Sequence, residues 1–162
     1  MKTVRYNTFE TNSSSTHSLV ISSKFKQLEI PLDGEGKYHI KFRDFEGDVE
    51  QITSLSDKIA FLLQLSMQCL GYYYYFDARP LTPSEIEEEL LDLTDLTLFK
   101  DVEGALKEIN PSCNGLVVDD FRGHIDHQTT SHYFSGEDFL NENRISLKDY
   151  LQGNVVLVAD HD

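Results

Sequence analysis

Along the chain Val4 to Phe9 reads as a first strand, and His17 to Ser22, built on the apolar run Leu19-Val20-Ile21, as a second. Between them runs FETNSSSTHS, an unbroken series of hydroxyl and amide side chains from Thr11 to Thr16 that leads into His17 and Ser18. Leu28 to Leu32 and Tyr38 to Phe42 read as two further strands. Asp33-Gly34-Glu35-Gly36 between them suits a hairpin connection. Ser54 or Ser56 can cap a helix running to about Leu70; its Leu55, Ile59, Leu62, Leu63 and Leu65 spread too widely for a surface helix, which predicts a central core helix.

The second half reads as two helices, a strand, two short helices and a final strand. Thr82-Pro83-Ser84-Glu85 combines a cap, a proline at the first helical position and a capping-box acid, and so starts a second helix. Its Ile86, Leu90 and Leu93 share a face, and the acids from Glu85 to Asp95 read first as a solvated surface. Asp101 to Ile109 forms a third helix, stopped by Asn110-Pro111. Leu116-Val117-Val118 reads as a buried strand, Ser135 or Gly136 and Ser146 begin short helices, and Val155 to Ala159 has the β-branched content of an interior strand. No repeat or flexible linker interrupts the chain. The expected architecture is one α+β domain over residues 1–162, a mixed or antiparallel sheet packed against several helices.

Composition sharpens this picture. A hydrophobic fraction of 40%, with 10 Phe and 8 Tyr, supports a folded core despite a net charge of -14. That charge is segregated: residues 1–43 carry a net +3 and residues 44–162 a net -17. Such acidity argues against direct nucleic-acid binding. No apolar run reaches the roughly 20 residues that cross a bilayer and no signal-peptide pattern appears, so a cytoplasmic protein with no membrane association is expected. Cys69 and Cys113 lack a metal-type spacing and read as reduced thiols. The aromatic run Tyr72 to Phe76 fits core packing or a homo-oligomer contact.

Two polar segments carry the candidate chemistry. In the first, Asn12, Ser13, Ser14, Ser15, Thr16 and Ser18 offer hydroxyl and amide groups able to hold a phosphate, carboxylate or sugar, and His17 adds a proton or a cation. The competing reading is a structural loop whose side chains bond their own backbone. It has neither the glycine spacing nor the lysine of a phosphate-binding nucleotidase loop. In the second, His124-Ile125-Asp126-His127-Gln128 follows a strand, a common place for a site. His127 or His17 as base and Asp126 as orienting acid would complete a hydrolytic arrangement with a serine of the first segment, with Gln128 as a further ligand contact. His124, Asp126, His127 and His132 match no standard metal spacing, so no metal is assigned and the cofactor stays open.

VRYNTFETNSSSTHSLVI resembles the N-terminus of a family of small proteins encoded mainly by phages of Gram-positive bacteria and related mobile elements. HIDHQ and the ending VVLVADHD resemble later blocks of that family more loosely. The resemblance implies a phage or prophage setting and no established activity. Taken together, a phage-type accessory protein is expected, with both polar segments meeting in one pocket for a small phosphorylated or nucleotide-like ligand that is bound, sequestered or hydrolysed. The alternative is an acidic, non-enzymatic inhibitor of a host defence or nucleic-acid-binding protein, acting through its charged surface. Self-assembly through the tyrosine run ranks third.

Overall fold

In the computed structural model, residues 4–6, 15–22, 28–45, 52–69, 97–125 and 135–161 are described. The elements in chain order are β1 (Val4–Tyr6), β2 (Ser15–Ser22), β3 (Lys37–Lys41), α1 (Leu55–Cys69), α2 (Thr97–Ile109), β4 (Gly115–Asp120), α3 (Gly136–Glu142), α4 (Leu147–Gln152) and β5 (Asn154–His161). This is an α+β fold. The described strands divide into two sheets: an antiparallel sheet in the order β1-β2-β5, and a parallel pair of β3 and β4.

Helix α1 is the centre of the core, as its all-round apolar sequence predicts. Every residue from Lys58 to Met67 is buried, and the helix touches β3, α2, α3 and α4. Ser54 begins it: the hydroxyl accepts the Asp57 amide N–H at 2.9 Å and the carbonyl accepts that of Lys58. Four aromatic rings form an edge-to-face chain through the interior, from Phe45 to Phe61 to Phe139 to Tyr150, with centroids 5.2 to 5.9 Å apart. They tie the parallel sheet, α1, α3 and α4 into one core.

Ser135 and Ser146 cap α3 and α4 through the amide groups of Asp138 and Asp149, as the sequence predicts. Gly136 is required by packing, since a Cβ there would stand 2.5 Å from a Leu98 methyl and 2.6 Å from the Leu62 carbonyl oxygen. Helix α2 begins at Thr97, four residues before the start expected at Asp101. The reason is burial: Leu98 and Phe99 lie in the core and extend the apolar stripe toward the N-terminus.

The expected strand over Leu28 to Leu32 does not form. Ile30 is buried and Leu28 and Leu32 pack against the core, so the apolar residues are used without a ladder. Pro31 has no amide N–H to offer. The Asp33 carboxylate accepts the amide N–H groups of Glu35 and Lys37, both at 2.8 Å, closing a tight turn completed by Gly36 at φ 80°. Instead of forming a hairpin with the preceding segment, β3 pairs in parallel with the remote β4, placing Tyr38 beside Leu116 and Ile40 beside Val118 on the buried face.

Beyond a register shift at Lys41, this pairing continues irregularly. The Phe42 amide donates to the Asp120 carbonyl, the Phe45 amide to the His124 carbonyl, and Phe45 bridges Ile125. Gly123 allows the close approach; a Cβ would lie 2.5 to 2.7 Å from the Arg43 backbone. Buried Gln64 serves Arg43 from the other side, accepting its amide N–H and donating to its carbonyl. No helix among the described residues is long and apolar enough to cross a membrane.

Candidate functional site

The first polar segment enters β2. Ser15, Thr16, His17 and Ser18 are the first residues of this strand, which runs between β1 and β5. Asn12, Ser13 and Ser14 lie outside the described residues, as do Asp126, His127, Gln128 and His132. The tyrosine run and the acidic helix beginning near Thr82 also lie outside them. Of the second polar segment, His124 and Ile125 extend the parallel β3–β4 pairing, with Ile125 buried. The expected meeting of the two polar segments therefore rests on residues outside the description.

A different juxtaposition is visible in the backbone. Strands β2 and β5 pair antiparallel along their whole length, Ser15 opposite His161, Thr16 opposite Asp160, His17 opposite Ala159 and Ser18 opposite Val158. Residues directly opposite in a ladder, and those two apart on a strand, share a sheet face. One face therefore collects Leu19, Ile21, Val155, Leu157 and Ala159, with Val4 and Tyr6 from β1, and ends in Ser15, His17 and His161. The other carries Thr16, Ser18, Asp160 and Arg5 among valines. An apolar face that turns polar at one end, where the Ser-rich segment joins the sheet, has the composition of a site's edge.

Asp160 and His161 were absent from the sequence-based site, which ended the last strand at Ala159. A signal for them existed: THSLVI and VVLVADHD are β-branched runs of matching length, each with a polar, histidine-containing end. Antiparallel pairing brings those two ends together.

A second polar constellation, also absent from the sequence-based reading, lies on the exposed side of β3 and β4. The His39 ring bonds Asp119 through Nδ1 at 2.8 Å and Asp33 through Nε2 at 2.9 Å. Two carboxylate acceptors call for two N–H donors, so the imidazolium is the form that fits. The bond to Asp33, then that to Asp119, raises the His39 pKa. Asp33 is lowered to about 2, first by the Lys37 amide N–H and next by His39. With both nitrogens engaged, His39 is a clamp between a turn and two strands. It has no nitrogen left for a ligand or for proton abstraction.

The neighbouring charges are similarly engaged. Arg122 donates to both Asp120 oxygens, at 2.9 and 2.6 Å, which lowers the Asp120 pKa. Arg43 lies 4.2 Å from the Phe45 ring centre and pairs with Asp57 at 3.2 Å. Asp44 accepts the His124 amide N–H. Cys113 is buried, its thiol 3.6 Å from the Gly115 carbonyl oxygen.

Lys58 on α1 is 1% exposed. Its ammonium donates to the Leu151 carbonyl at 3.2 Å and to the Gly153 carbonyl, at the C-terminal end of α4 immediately before β5. A cation there complements the helix dipole and satisfies carbonyls left over at the helix end. Desolvation lowers its pKa to about 8. The lysine thus fixes the point from which β5 departs toward β2.

Among the described residues, no group of three or more His, Cys, Asp or Glu side chains is arranged to hold a metal ion. Comparison with known proteins found no matching family model, no matching curated protein and no matching solved structure.

Proposed function

We propose that the protein binds a small phosphorylated or nucleotide-like ligand where the Ser-rich segment joins the antiparallel sheet. The observation supporting this reading is the β2–β5 register, which sets Ser15, Thr16 and His17 beside Asp160 and His161. In this reading Asn12 to Thr16 and Ser18 supply donors to phosphate or sugar oxygens, and His17 supplies positive charge or a proton. In the same reading Asp126, His127 and Gln128 complete the pocket: His127 shares the acid-base work, Asp126 fixes its tautomer and Gln128 adds a ligand contact. Sequestration needs only the binding groups; hydrolysis needs the histidines as well. The resemblance of the N-terminal signature suits a phage accessory protein that captures a host nucleotide signal.

The test is a melting-temperature shift against a nucleotide panel. A ligand present at 100 times its Kd stabilises by about 2.7 kcal/mol. Ser14→Ala and His17→Ala should abolish the shift while leaving the folded spectrum intact. A folded protein indifferent to the whole panel overturns the reading.

The net -17 of residues 44–162 favours a second reading, an acidic inhibitor of a host defence or nucleic-acid-binding protein. Capture of a host protein that is salt-sensitive, unaffected by Ser14→Ala and lost when Glu87, Glu88 and Asp92 are neutralised would favour it over the pocket.

A further inference from the structure

Strand β3 pairs with β4 along one edge, and its other edge is stopped at both ends and open in the middle. Successive residues of a strand aim their N–H and C=O groups at alternate edges. The Phe42 amide donates to the Asp120 carbonyl, so Tyr38, Ile40 and Phe42 face β4, and Lys37, His39, Lys41 and Arg43 face outward. At one end Asp33 closes off Lys37: its carboxylate accepts the Lys37 N–H and its own amide donates to the Lys37 carbonyl. At the other end Gln64 closes off Arg43, accepting its N–H and donating to its carbonyl. His39 and Lys41 lie between these stops, both exposed, and among the described residues nothing bonds their outward N–H and C=O groups.

We propose that this opening in the β3 edge takes a short, extended, acidic segment of another protein as an added antiparallel strand. Unpaired main-chain groups on a sheet edge are a template for strand addition. The two stops decide what fits. Strand β3 is 5 residues long, and pairing with a second copy of itself about Ile40 would set Lys37 against the other copy's Arg43, a row that the Asp33 turn and the Gln64 amide already fill. A short segment that bends away on either side meets neither stop.

Charge selects among such segments. Lys37 pairs with Glu35 and Arg43 with Asp57, whereas the Lys41 side chain makes no hydrogen bond or close ion pair among the described residues. An acid opposite Lys41 supplies the missing partner. The next residue, opposite Ile40, lies on the buried face of the sheet and is apolar. Opposite His39, the Asp33 and Asp119 carboxylates call for a donor such as a hydroxyl. Read from its N-terminus, the segment is therefore of the type Glu-Val-Thr. This edge belongs to a different sheet from the one that carries the proposed ligand site.

The probe is acetyl-Gly-Glu-Val-Thr-Gly-amide, titrated into nitrogen-15-labelled full-length protein while the backbone amide signals are followed. The chain carries a net charge of -14, so physiological ionic strength is used, where a Debye length of about 8 Å limits charge effects to near neighbours. Saturable shifts of the His39 and Lys41 amides are expected. Residues directly opposite in a bonded antiparallel pair exchange both hydrogen bonds, so N-methylation of the peptide's Glu or Thr should weaken binding by at least about tenfold, and N-methylation of its Val should not. Lys41→Glu should weaken it by at least about fivefold. The methylated peptides leave the protein unaltered, so they decide even if Lys41→Glu fails to fold.

A folded protein whose His39 and Lys41 amides ignore the peptide overturns the proposal. Binding that tolerates methylation at Glu and Thr, or that is lost on methylation at Val alone, also overturns it. Shifts of the same two amides with protein concentration, in the absence of peptide, assign the edge to a second copy and overturn it as well.

Discussion

In the parallel pair β3–β4, His39 is held by Asp33 and Asp119, Asp120 holds Arg122, and the buried face of Tyr38, Ile40, Leu116 and Val118 lies in the core. In the antiparallel sheet, an apolar face ends in Ser15, His17 and His161, set side by side by pairing between the two ends of the chain. Both regions put histidine and aspartate on strands, yet the first uses them to fasten a turn to a ladder. An imidazole bonded at both nitrogens has no capacity for further chemistry. Residue type alone therefore does not mark a site.

The largest test of this contrast is Phe61→Ala. Phe61 packs edge-on to Phe45 and Phe139 and is 1% exposed, so its loss should cost about 3–5 kcal/mol in urea denaturation. A small loss would show that the aromatic chain is not what holds the parallel sheet to α1. Gly123→Ala comes next. Its methyl group meets the Arg43 backbone rather than a movable side chain, and a penalty of about 1–3 kcal/mol is expected.

Lys58→Met removes the donor to the Leu151 and Gly153 carbonyls and should cost about 1–3 kcal/mol. Hydrogen exchange should locate the weakening at the start of β5, which would connect the core to the proposed site. This substitution also carries a pH signature. Because the folded pKa lies near 8, below the ordinary lysine value of 10.5, the unfolded chain holds the extra proton between them. The lysine thus makes wild-type stability rise with pH across that window relative to Lys58→Met. Parallel curves for the two proteins would contradict a desolvated amine.

The exposed His39 clamp gives the smallest effect. Its histidine, with a raised folded pKa, contributes fully below the ordinary value of 6.5 and loses that contribution as pH climbs through the folded value. The depressed Asp33 contributes fully above 3.8 and loses its contribution as pH falls toward 2. Both are at full strength between pH 3.8 and 6.5. His39→Gln should remove the decline above that window, and salt should shrink it in the wild-type protein. A decline unchanged by His39→Gln assigns it to other groups.

Local chemistry was legible where short-range rules govern. Ser54, Ser135 and Ser146 cap helices as their sequences indicate, α1 is buried because apolar residues surround its axis, and the terminal β-branched run is a strand. The start of α2 and the segment Leu28 to Leu32 diverged because tertiary burial used Leu98, Phe99 and Ile30 in ways that periodicity alone does not indicate. Of the candidate site, Ser15 to Ser18 are picked out in the sequence by residue type, while Asp160 and His161 come beside them only through the β2–β5 register.

By itself, then, the amino-acid order determined the class of fold, the capped helices, the central helix and the chemical character of the Ser-rich segment. These follow from interactions within a turn or two of chain, or from hydrophobic periodicity. Tertiary structure decided that β3 pairs with β4 rather than with its predecessor, that His39 is locked between two carboxylates, and that His17 and His161 become neighbours. Each depends on strand register between remote segments, which is set by the burial of whole faces and by close backbone approaches such as that at Gly123.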